Sequence, residues 1–357
     1  MTKSILIAAG GTGGHVFPGL ALAHAFQARG YTVTWIGTKK GIEAKVIPNA
    51  NIPIDFLQVV GLRGKDLKSL LLAPFRLTRA LYQTYKIFKK RKPDLVLGLG
   101  GFVSGPAGII AFLTGTPYVL HEQNAVAGLT NRYLAHIAKR IFSSFPDAFK
   151  STKNIIVTGN PVREQILALQ DPQTRFAQHT GPLRILVLGG SLGAMRLNEV
   201  LPEAIAKLNM PVIVKHQNGE HHFEKTLQAY QAIAPEHEVL KFIDNMADAY
   251  AWADLIVCRA GATTIAELMV VGLGAIFIPY PSAVDDHQTK NGLYLVKANA
   301  ARMILQKDLT PDLLATTLQE LGQRERCLQM AIAAKDIYAG DAVGQIINSC
   351  EELLNGQ

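Results

Sequence analysis

Two glycine-rich segments stand at matching places in the two halves of the chain, and both could bind phosphate. The first, GGTGGH, spans residues 10–15, and the second, GGSLGA, spans residues 189–194. Glycine turns let a backbone approach a phosphate closely, and a following helix offers free N–H groups and the positive end of its dipole. A single loop would be explained by a tight turn alone. Two loops at matching places favour ligand binding.

The residues around the loops exclude two common classes of phosphate-binding protein. GGTGGH lacks the Lys-Ser or Lys-Thr pair of a P-loop, which argues against a nucleoside triphosphatase. The GxGxxG dinucleotide fingerprint fails at Val16, and the second predicted strand is followed by basic rather than acidic residues, WIGTKK (35–40). Hydride transfer through a dinucleotide is therefore also disfavoured.

Histidine and acidic side chains lie close to these loops. His15 ends the first loop, where a neutral imidazole could accept a proton from an attacking hydroxyl or, when charged, bind phosphate; a backbone hydrogen bond at a helix start is the alternative. His121 and Glu122 end a predicted strand. The run 285–287, Asp-Asp-His, indicates a metal site only weakly, because adjacent side chains do not converge. We expect no cofactor and no strict need for a divalent metal ion.

Strands that alternate with helices must position these groups. Short apolar runs bounded by glycine are typical of strands buried on both faces of a parallel sheet, and the stretch 65–90 is predicted to be helical. The pattern indicates doubly wound α/β sheets, whose right-handed crossovers bring the carboxyl ends of the strands to one ligand-binding edge. The predicted strands lie within 4–15, 31–37, 94–101, 117–122, 184–194, 211–216, 254–261 and 274–281.

The length of 357 residues suggests two domains. We predict an N-terminal domain over 1–162 and a C-terminal domain over 163–339, with a linker near GNPVR (159–163). The tail, 340–357, is predicted to be a helix that packs back on the first domain.

Charge is distributed unevenly along the chain. Residues 1–165 hold 21 Lys and Arg against 7 Asp and Glu, whereas residues 166–357 hold 15 against 21. The excess directs the first half toward an anionic partner, with a solvated basic surface as the alternative. We expect no nucleic acid, because no nucleic-acid module or aromatic-interleaved basic motif is present. The chain has three cysteines, with neither a CxxC motif nor the even number of a disulfide framework, which favours reduced thiols. The first residues lack the features of a secretory signal.

The segment 61–92 mixes bulky apolar and basic residues. Such a mixture suits an anionic membrane surface, although the leucines could instead face the sheet. Pro74 predicts that the segment forms two helical pieces. The residues that carry the pattern are Leu67, Leu70, Leu71, Leu72, Phe75 and Leu77, with Arg63, Lys65, Lys68, Arg76 and Arg79.

Several stretches taken together resemble the MurG family of glycosyltransferase family 28, bacterial transferases that act on undecaprenyl-linked muramyl pentapeptide. One departure is Leu192, where many members have Gln. The matching stretches are GGTGGHVFPGLALA (10–23), GLRGK (61–65), GLGGFVSGPAG (98–108), HEQNAVAGLTNR (121–132), GNPVR (159–163), GGSLGA (189–194), FIDNMADAYAWADLIVCRAGATTIAEL (242–268) and DDHQTKN (285–291).

The resemblance implies a GT-B fold, in which two Rossmann-like domains face each other across the active site. It implies inverting transfer of N-acetylglucosamine from UDP-N-acetylglucosamine to a lipid-linked muramyl-pentapeptide diphosphate, lipid I, giving lipid II for peptidoglycan. Inversion requires one base and no covalent intermediate. The enzyme would be peripheral on the cytoplasmic face of the inner membrane, with other cell-wall enzymes as further partners. The alternatives are another GT-B UDP-sugar enzyme, either an epimerase or a transferase with a soluble acceptor, and a non-catalytic membrane scaffold.

The resemblance also implies roles for residues of the second domain. Ser191 would contact the diphosphate, the backbone of Ile243 the uracil, Glu267 the ribose and Gln288 the sugar hydroxyls. For Glu267 an ordinary acid in the first turn of a helix is the alternative. The helix start would supply Ala262, Thr263, Thr264, Ile265 and Ala266 to the same ligand.

In the first domain, Asn124 and Arg163 would complete the donor pocket by resemblance, and Arg163 suits a diphosphate because it keeps its charge. We hypothesise that His15 is the catalytic base, with Glu122 and His121 as alternatives. The remaining predicted ligand contacts are the loop residues Thr12, Gly13 and Gly14.

Overall fold

The computed structural model describes residues 2–59, 73–149, 155–189, 194–233 and 236–356. The chain divides into two compact units, one formed by Met1–Arg163 with Ala339–Gln357 and the other by Glu164–Tyr338.

The sheet of the first unit is parallel throughout, with seven strands in the order β3-β2-β1-β4-β5-β6-β7. Its central strands are continuous apolar runs that are buried on both faces, as parallel sheets require. The strands are β1 (Ser4–Ala9), β2 (Thr32–Gly37), β3 (Ile54–Phe56), β4 (Leu95–Gly100), β5 (Tyr118–Glu122), β6 (Arg140–Ser143) and β7 (Ile155–Val157).

Helices cover this sheet, and α1 shows how tightly they approach it. Gly19 of α1 lies against Trp35 of β2, and a Cβ added at Gly19 would lie 2.6 Å from the Trp35 Cη2 atom. Pro74 lies in the first turn of α3, where proline is tolerated; the other predicted helical piece lies outside the described residues. The helices are α1 (Gly13–Ala28), α2 (Glu43–Asn49), α3 (Ala73–Arg91), α4 (Ser104–Thr114) and α5 (Leu129–Leu134).

The second unit repeats this architecture. Its six-stranded parallel sheet has the order β10-β9-β8-β11-β12-β13, so the strand before the second glycine loop occupies the place that β1 has in the first sheet. Two doubly wound parallel sheets confirm the predicted α/β class, typical of GT-B glycosyltransferases. The strands are β8 (Leu183–Leu188), β9 (Val212–Gln217), β10 (Glu236–Leu240), β11 (Leu255–Cys258), β12 (Gly274–Phe277) and β13 (Ala301–Met303).

Two helices precede β8, strands and helices then alternate as far as β13, and two further helices follow β13. Short 3-10 turns lie at Glu220–His222 and Val284–Asp286. The helices are α6 (Glu164–Leu167), α7 (Pro172–Ala177), α8 (Met195–Ala206), α9 (Phe223–Gln231), α10 (Met246–Trp252), α11 (Ala262–Val271), α12 (His287–Lys297), α13 (Pro311–Leu321) and α14 (Arg324–Asp336).

The last helix, α15 (Ala342–Asn355), belongs to the first unit. Its apolar face, with Ile346, Ile347 and Cys350, packs in the same core as β1 and α1, and Glu351 pairs with Arg29 at 2.6 Å. All three cysteines of the chain are free and buried. Burial raises the pKa of the Cys350 thiol to about 12, so this cysteine remains a neutral thiol at neutral pH. Among the residues that the structure describes, no helix is long and apolar enough to cross a membrane.

Candidate active site

A buried carboxylate, that of Glu43, accepts a hydrogen bond from the backbone of the first glycine loop. Gly11 has φ +97°, a conformation that glycine adopts readily, and its N–H donates to Oε2 of Glu43 at 3.0 Å. Oε1 of Glu43 accepts from the N–H and the hydroxyl of Thr38, both at 2.8 Å. Gly11 donates inward, whereas the N–H groups of Gly13 and Gly14 lie in the first turn of α1, lack intrahelical acceptors and suit a phosphate.

A second glycine turn, after β4, lies against the first. Gly100 and Gly101 have φ +103° and +77°, and a Cβ added at Gly101 would lie 2.4 Å from the Gly10 carbonyl oxygen. The Ser104 hydroxyl oxygen accepts from the Gly100 N–H at 3.0 Å and lies 2.8 Å from the Ala8 carbonyl oxygen. Adjacent strands β1 and β4 thus deliver two interlocked glycine turns at the carboxyl edge of the sheet.

His15 lies on the second turn. Its ring packs directly on Gly100, where an added Cβ would lie 2.9 Å from the His15 Cε1 atom. Nδ1 of His15 is 3.0 Å from Oε1 of Gln123, which follows β5. The imidazole is half-buried, so loops after three neighbouring strands orient a side chain that a ligand can still reach.

The His121 side chain is completely buried, and both of its ring nitrogens have hydrogen-bonding partners. Nε2 is 3.0 Å from the Gly159 carbonyl oxygen, and Nδ1 is 3.1 Å from Nε2 of Gln123. Burial lowers the pKa of His121 to about 4, so the ring is neutral at neutral pH. A fully buried ring with two hydrogen-bonding partners is poorly placed to accept a proton from a substrate.

Glu122 organises the loop that follows β5. Oε1 accepts from the backbone and side-chain nitrogens of Asn124, at 2.9 and 3.2 Å. Oε2 accepts from the Gly128 N–H at 3.1 Å and from Nδ2 of Asn131 at 2.7 Å. The carboxylate is buried and accepts four hydrogen bonds, so of the three predicted bases the geometry favours His15.

Arg163 lies near the start of α1. Its guanidinium carbon is 5.8 Å from the centre of the Phe17 ring. The same ring covers Gly13, where an added Cβ would lie 2.9 Å from Phe17 Cε2. A permanent cation beside a helix N-terminus is a suitable environment for an anionic ligand.

In the second unit, the predicted phosphate contacts lie in the first turn of α11. Gly261 precedes the helix, and Ala262, Thr263 and Thr264 begin it, so their N–H groups lack intrahelical acceptors. The Thr263 hydroxyl is buried and meets no hydrogen-bonding partner within the described part of the chain. Such a group suits a ligand oxygen, since buried hydroxyls are otherwise bonded.

Glu267 and Ile243 are both largely buried. The Tyr250 hydroxyl donates to Oε2 of Glu267 at 2.7 Å, which fixes one carboxylate oxygen. Glu267 lies in the second turn of α11, so the alternative interpretation as an acid in the first turn is wrong. Ile243 follows β10 outside any helix or strand, which keeps its backbone groups out of helix and sheet hydrogen bonding.

Gln288, in the first turn of α12, braces the segment after β12. Its Oε1 accepts from the Tyr280 N–H at 2.9 Å. Arg259 donates to the Ile278 and Pro279 carbonyls at 2.9 and 3.1 Å and lies 5.6 Å from the Tyr280 ring centre. The hydrogen bond from Tyr280 uses Oε1 of Gln288 and leaves the Nε2 amino group to donate elsewhere.

The Asp-Asp-His run, 285–287, leads into α12. Asp285 and Asp286 both have φ 54°, and Asp286 accepts a hydrogen bond from the Thr289 hydroxyl at 2.6 Å. Within the described ranges, no three His, Cys, Asp or Glu side chains group together so that they could hold a metal ion. Ser191 and Leu192 lie outside the described residues, as do positions 61–72 of the segment 61–92 that mixes apolar and basic residues.

Known proteins resemble this chain over its whole length. The N-terminal and C-terminal domains of glycosyltransferase family 28 match residues 5–143 and 184–345. The chain is 48% identical over 358 residues to the UDP-N-acetylglucosamine--N-acetylmuramyl-(pentapeptide) pyrophosphoryl-undecaprenol N-acetylglucosamine transferase of Aeromonas hydrophila, covering 100% of this chain and 99% of the relative.

The chain belongs to glycosyltransferase family 28.

Solved structures agree with the family assignment. MurG of Acinetobacter baumannii matches this family 28 chain with a TM-score of 0.86 and 38% identity, over 98% of this chain and 99% of that one. UDP-GlcNAc 2-epimerase of Neisseria meningitidis, bound to UDP-GlcNAc, matches with a TM-score of 0.68 at 14% identity, over 98% and 100%. At that identity the epimerase shares the fold alone.

Sequence reasoning missed several residues that position this family 28 site. Gln123 stands within the HEQN stretch, so a motif marked it, but nothing in that motif indicates its partners. Arg259 likewise lies within the CRAGA stretch. Tyr250 lies within the 242–268 stretch, which likewise does not indicate that its partner is Glu267, 17 positions away. Glu43 lies outside every matching stretch, and its partner Gly11 is 32 positions away, so no local signal marks it.

Exposed aromatic and basic residues form a stripe along one face of α3. Phe75 is 73% exposed, and Tyr82 and Tyr85 are 58% and 40% exposed. Nζ of Lys86 lies 4.7 Å from the Tyr82 ring centre, and Nζ of Lys89 lies 5.0 Å from that of Tyr85. These five residues recur at helical spacing and face one side, so we name them the α3 stripe.

Proposed function

We propose that this chain transfers N-acetylglucosamine from UDP-N-acetylglucosamine to N-acetylmuramyl-(pentapeptide) pyrophosphoryl-undecaprenol, converting lipid I to lipid II in peptidoglycan synthesis. The observation that carries the proposal is the full-length identity of 48% to a relative whose name states this reaction. The arrangement around His15 supports it independently, because glycosyl transfer with inversion needs a base at the acceptor hydroxyl.

The donor is bound by the second unit in this proposal. The first turn of α11 provides N–H groups for the diphosphate, and the buried Thr263 hydroxyl adds a further polar contact. Glu267, fixed by Tyr250, accepts from the ribose, and Gln288 donates through Nε2 to a sugar hydroxyl. The backbone of Ile243 reads the uracil, and Ser191 contacts the diphosphate.

The first unit provides the acceptor side and the base. His15 removes the proton from the attacking hydroxyl as that oxygen forms the new bond to the anomeric carbon and UDP leaves. One displacement converts the α-linked donor into the β-linked product, so no covalent enzyme intermediate forms. Arg163 and Asn124 complete the donor pocket, and Arg163 stabilises the charge that develops on the departing diphosphate.

The transfer assay tests this function. We expect labelled sugar to pass from UDP-N-acetylglucosamine to lipid I in detergent or vesicles, with one UDP released per sugar transferred, in the presence of a chelator. Binding of UDP without any lipid-linked product would refute the acceptor assignment. Conversion of the donor to a 2-epimer would establish the epimerase alternative instead.

The α3 stripe supports peripheral docking on the anionic cytoplasmic surface of the inner membrane. Exposed aromatic rings beside cations insert at the headgroup level while the cations attract anionic lipid. We expect the double substitution Phe75→Ser and Tyr82→Ser to reduce cosedimentation with phosphatidylglycerol vesicles by about 10-fold, or roughly 1.4 kcal/mol. Leu313→Ser, at a 41% exposed position of α13, is the matched control. Equal binding of both variants and the unchanged chain would refute this docking surface.

A further inference from the structure

A chain of hydrogen bonds leads from the Gly159 backbone to His15, and it has only one consistent direction. A carbonyl oxygen can only accept, so the bond of 3.0 Å from Gly159 requires that Nε2 of His121 carries the proton. His121 is completely buried, and burial lowers its pKa to about 4, so at neutral pH the ring is uncharged. Its Nδ1 is therefore a hydrogen-bond acceptor.

The orientation of the Gln123 amide follows from this acceptor. The amide nitrogen lies 3.1 Å from Nδ1 of His121 and 3.4 Å from the His121 carbonyl oxygen, so both amide hydrogens point at acceptors. In the opposite orientation, the amide oxygen of Gln123 would face the lone pairs of His121 Nδ1 and of the His121 carbonyl oxygen. Oε1 of Gln123 thus faces His15, and Nδ1 of His15 must donate across 3.0 Å.

From this series of hydrogen bonds, which we call the relay, we infer that Gln123 and His121 are positioning residues. They hold neutral His15 as its Nδ1–H tautomer, which leaves the lone pair on Nε2. Free neutral imidazole of histidine favours the other tautomer, with the proton on Nε2, which cannot accept a proton there. The relay therefore prepares the nitrogen that a general base needs before any substrate binds. The use of that lone pair in catalysis rests on the proposed function, whereas the tautomer itself does not.

Glutamine is the side chain that this relay requires. It must donate at one end, to Nδ1 of His121, and accept at the other, from Nδ1 of His15. Methionine has a similar volume, but it cannot donate a hydrogen bond to His121 and its sulfur accepts only weakly. Glutamate can still accept from His15 but cannot donate to His121.

The test is nitrogen NMR of the full chain labelled with 15N-histidine, without substrate, at a pH where His15 is neutral. A His15→Gln variant identifies the His15 signals by their loss. We expect protonated Nδ1 and unprotonated Nε2 for His15 in the unchanged protein, a shift toward the Nε2–H form in Gln123→Met, and retention of the Nδ1–H form in Gln123→Glu. Finding His15 mainly as the Nε2–H tautomer in the unchanged protein would overturn the inference. This outcome requires that His15→Gln folds, so that the signals are assigned, but it does not require that either Gln123 variant folds.

Kinetics provides the second readout. For Gln123→Met we expect kcat to fall on the order of 10- to 100-fold, part of the ~10²–10⁴ that general base catalysis contributes, with KM for the donor within about 2-fold. Gln27→Met, at an exposed position of α1, is the matched control and should keep both values. An unchanged tautomer together with unchanged kcat in Gln123→Met would refute the relay. If the unchanged protein carries the Nδ1–H tautomer but transfers no sugar, the proposed function fails while the positioning role stands.

Discussion

Replacing Gly100 by Ala tests how strictly the site depends on the contact between this glycine and His15. Gly100 has φ +103°, and an added Cβ would lie 2.9 Å from Cε1 and 3.0 Å from Nδ1 of His15. Carbon atoms prefer separations of about 3.5–4.0 Å, so the imidazole must move by roughly 0.6 Å or more. The backbone conformation itself costs on the order of 1–3 kcal/mol for a residue with a side chain.

These two effects separate through a control at another glycine. Gly115 has φ +72°, and an added Cβ there meets nothing within 4 Å. Gly115→Ala therefore carries backbone strain without contact to His15. We expect both variants to lower the melting temperature, by about 2–4 °C for each kcal/mol in a unit of this size.

Only Gly100→Ala should impair the chemistry. A misplacement of about 1 Å can cost on the order of 100-fold in rate, so we expect kcat to fall by roughly 10- to 100-fold. Stabilisation of the protein by UDP should persist, because neither Gly100 nor His15 is among the residues proposed to bind the donor. If Gly100→Ala and Gly115→Ala retain the same kcat in the transfer assay, the contact between Gly100 and His15 does not position the base.

Three further substitutions or conditions give separate outcomes. Gly19→Ala places a Cβ 2.6 Å from the Trp35 ring, and we expect a loss of about 1–3 kcal/mol in urea unfolding. Glu267→Gln weakens a charge-assisted acceptor, so UDP affinity measured by calorimetry should fall by roughly 10-fold, whereas Tyr250→Phe should lose less. The pKa of His121 is about 4 when folded and about 6.5 in unfolded chains, so the unfolded state takes up the proton first as the pH falls. Because of His121, the free energy of unfolding should fall by roughly 3 kcal/mol between about pH 6.5 and about pH 4. In His121→Gln, a plot of the free energy of unfolding against pH should lack this part of the slope.

The central strands of both sheets could be predicted because their sequences satisfy a strict local requirement. Strands β1, β4 and β11 are buried on both faces and read as nearly continuous apolar runs, and β8 does so apart from Arg184. Strand β10, Glu236–Leu240, is an edge strand with exposed polar positions, and its sequence carries no such pattern. The edge strands β3, β7 and β13 have three residues each, which is too short for a sequence pattern to mark them.

The site was predictable to the level of which loops meet, but not of which atoms bond. Parallel strands bring His15 and His121 to one edge, and sequence order alone indicates this. The contact between His121 and Gly159 joins residues 38 positions apart, and the tautomer of His15 depends on it. The first glycine loop was predicted to bind phosphate, yet Gly11 donates to Glu43, a pairing set by how α2 packs and not by any motif.

Single-turnover transfer to lipid I by His15→Gln, measured beside the unchanged protein, tests the assignment of the base most directly. With UDP binding equal in both, we predict a rate lower by about 10²–10⁴-fold, because the attacking hydroxyl loses its base. Nearly full turnover by His15→Gln would contradict the role of His15 and would turn the search for the base to another group.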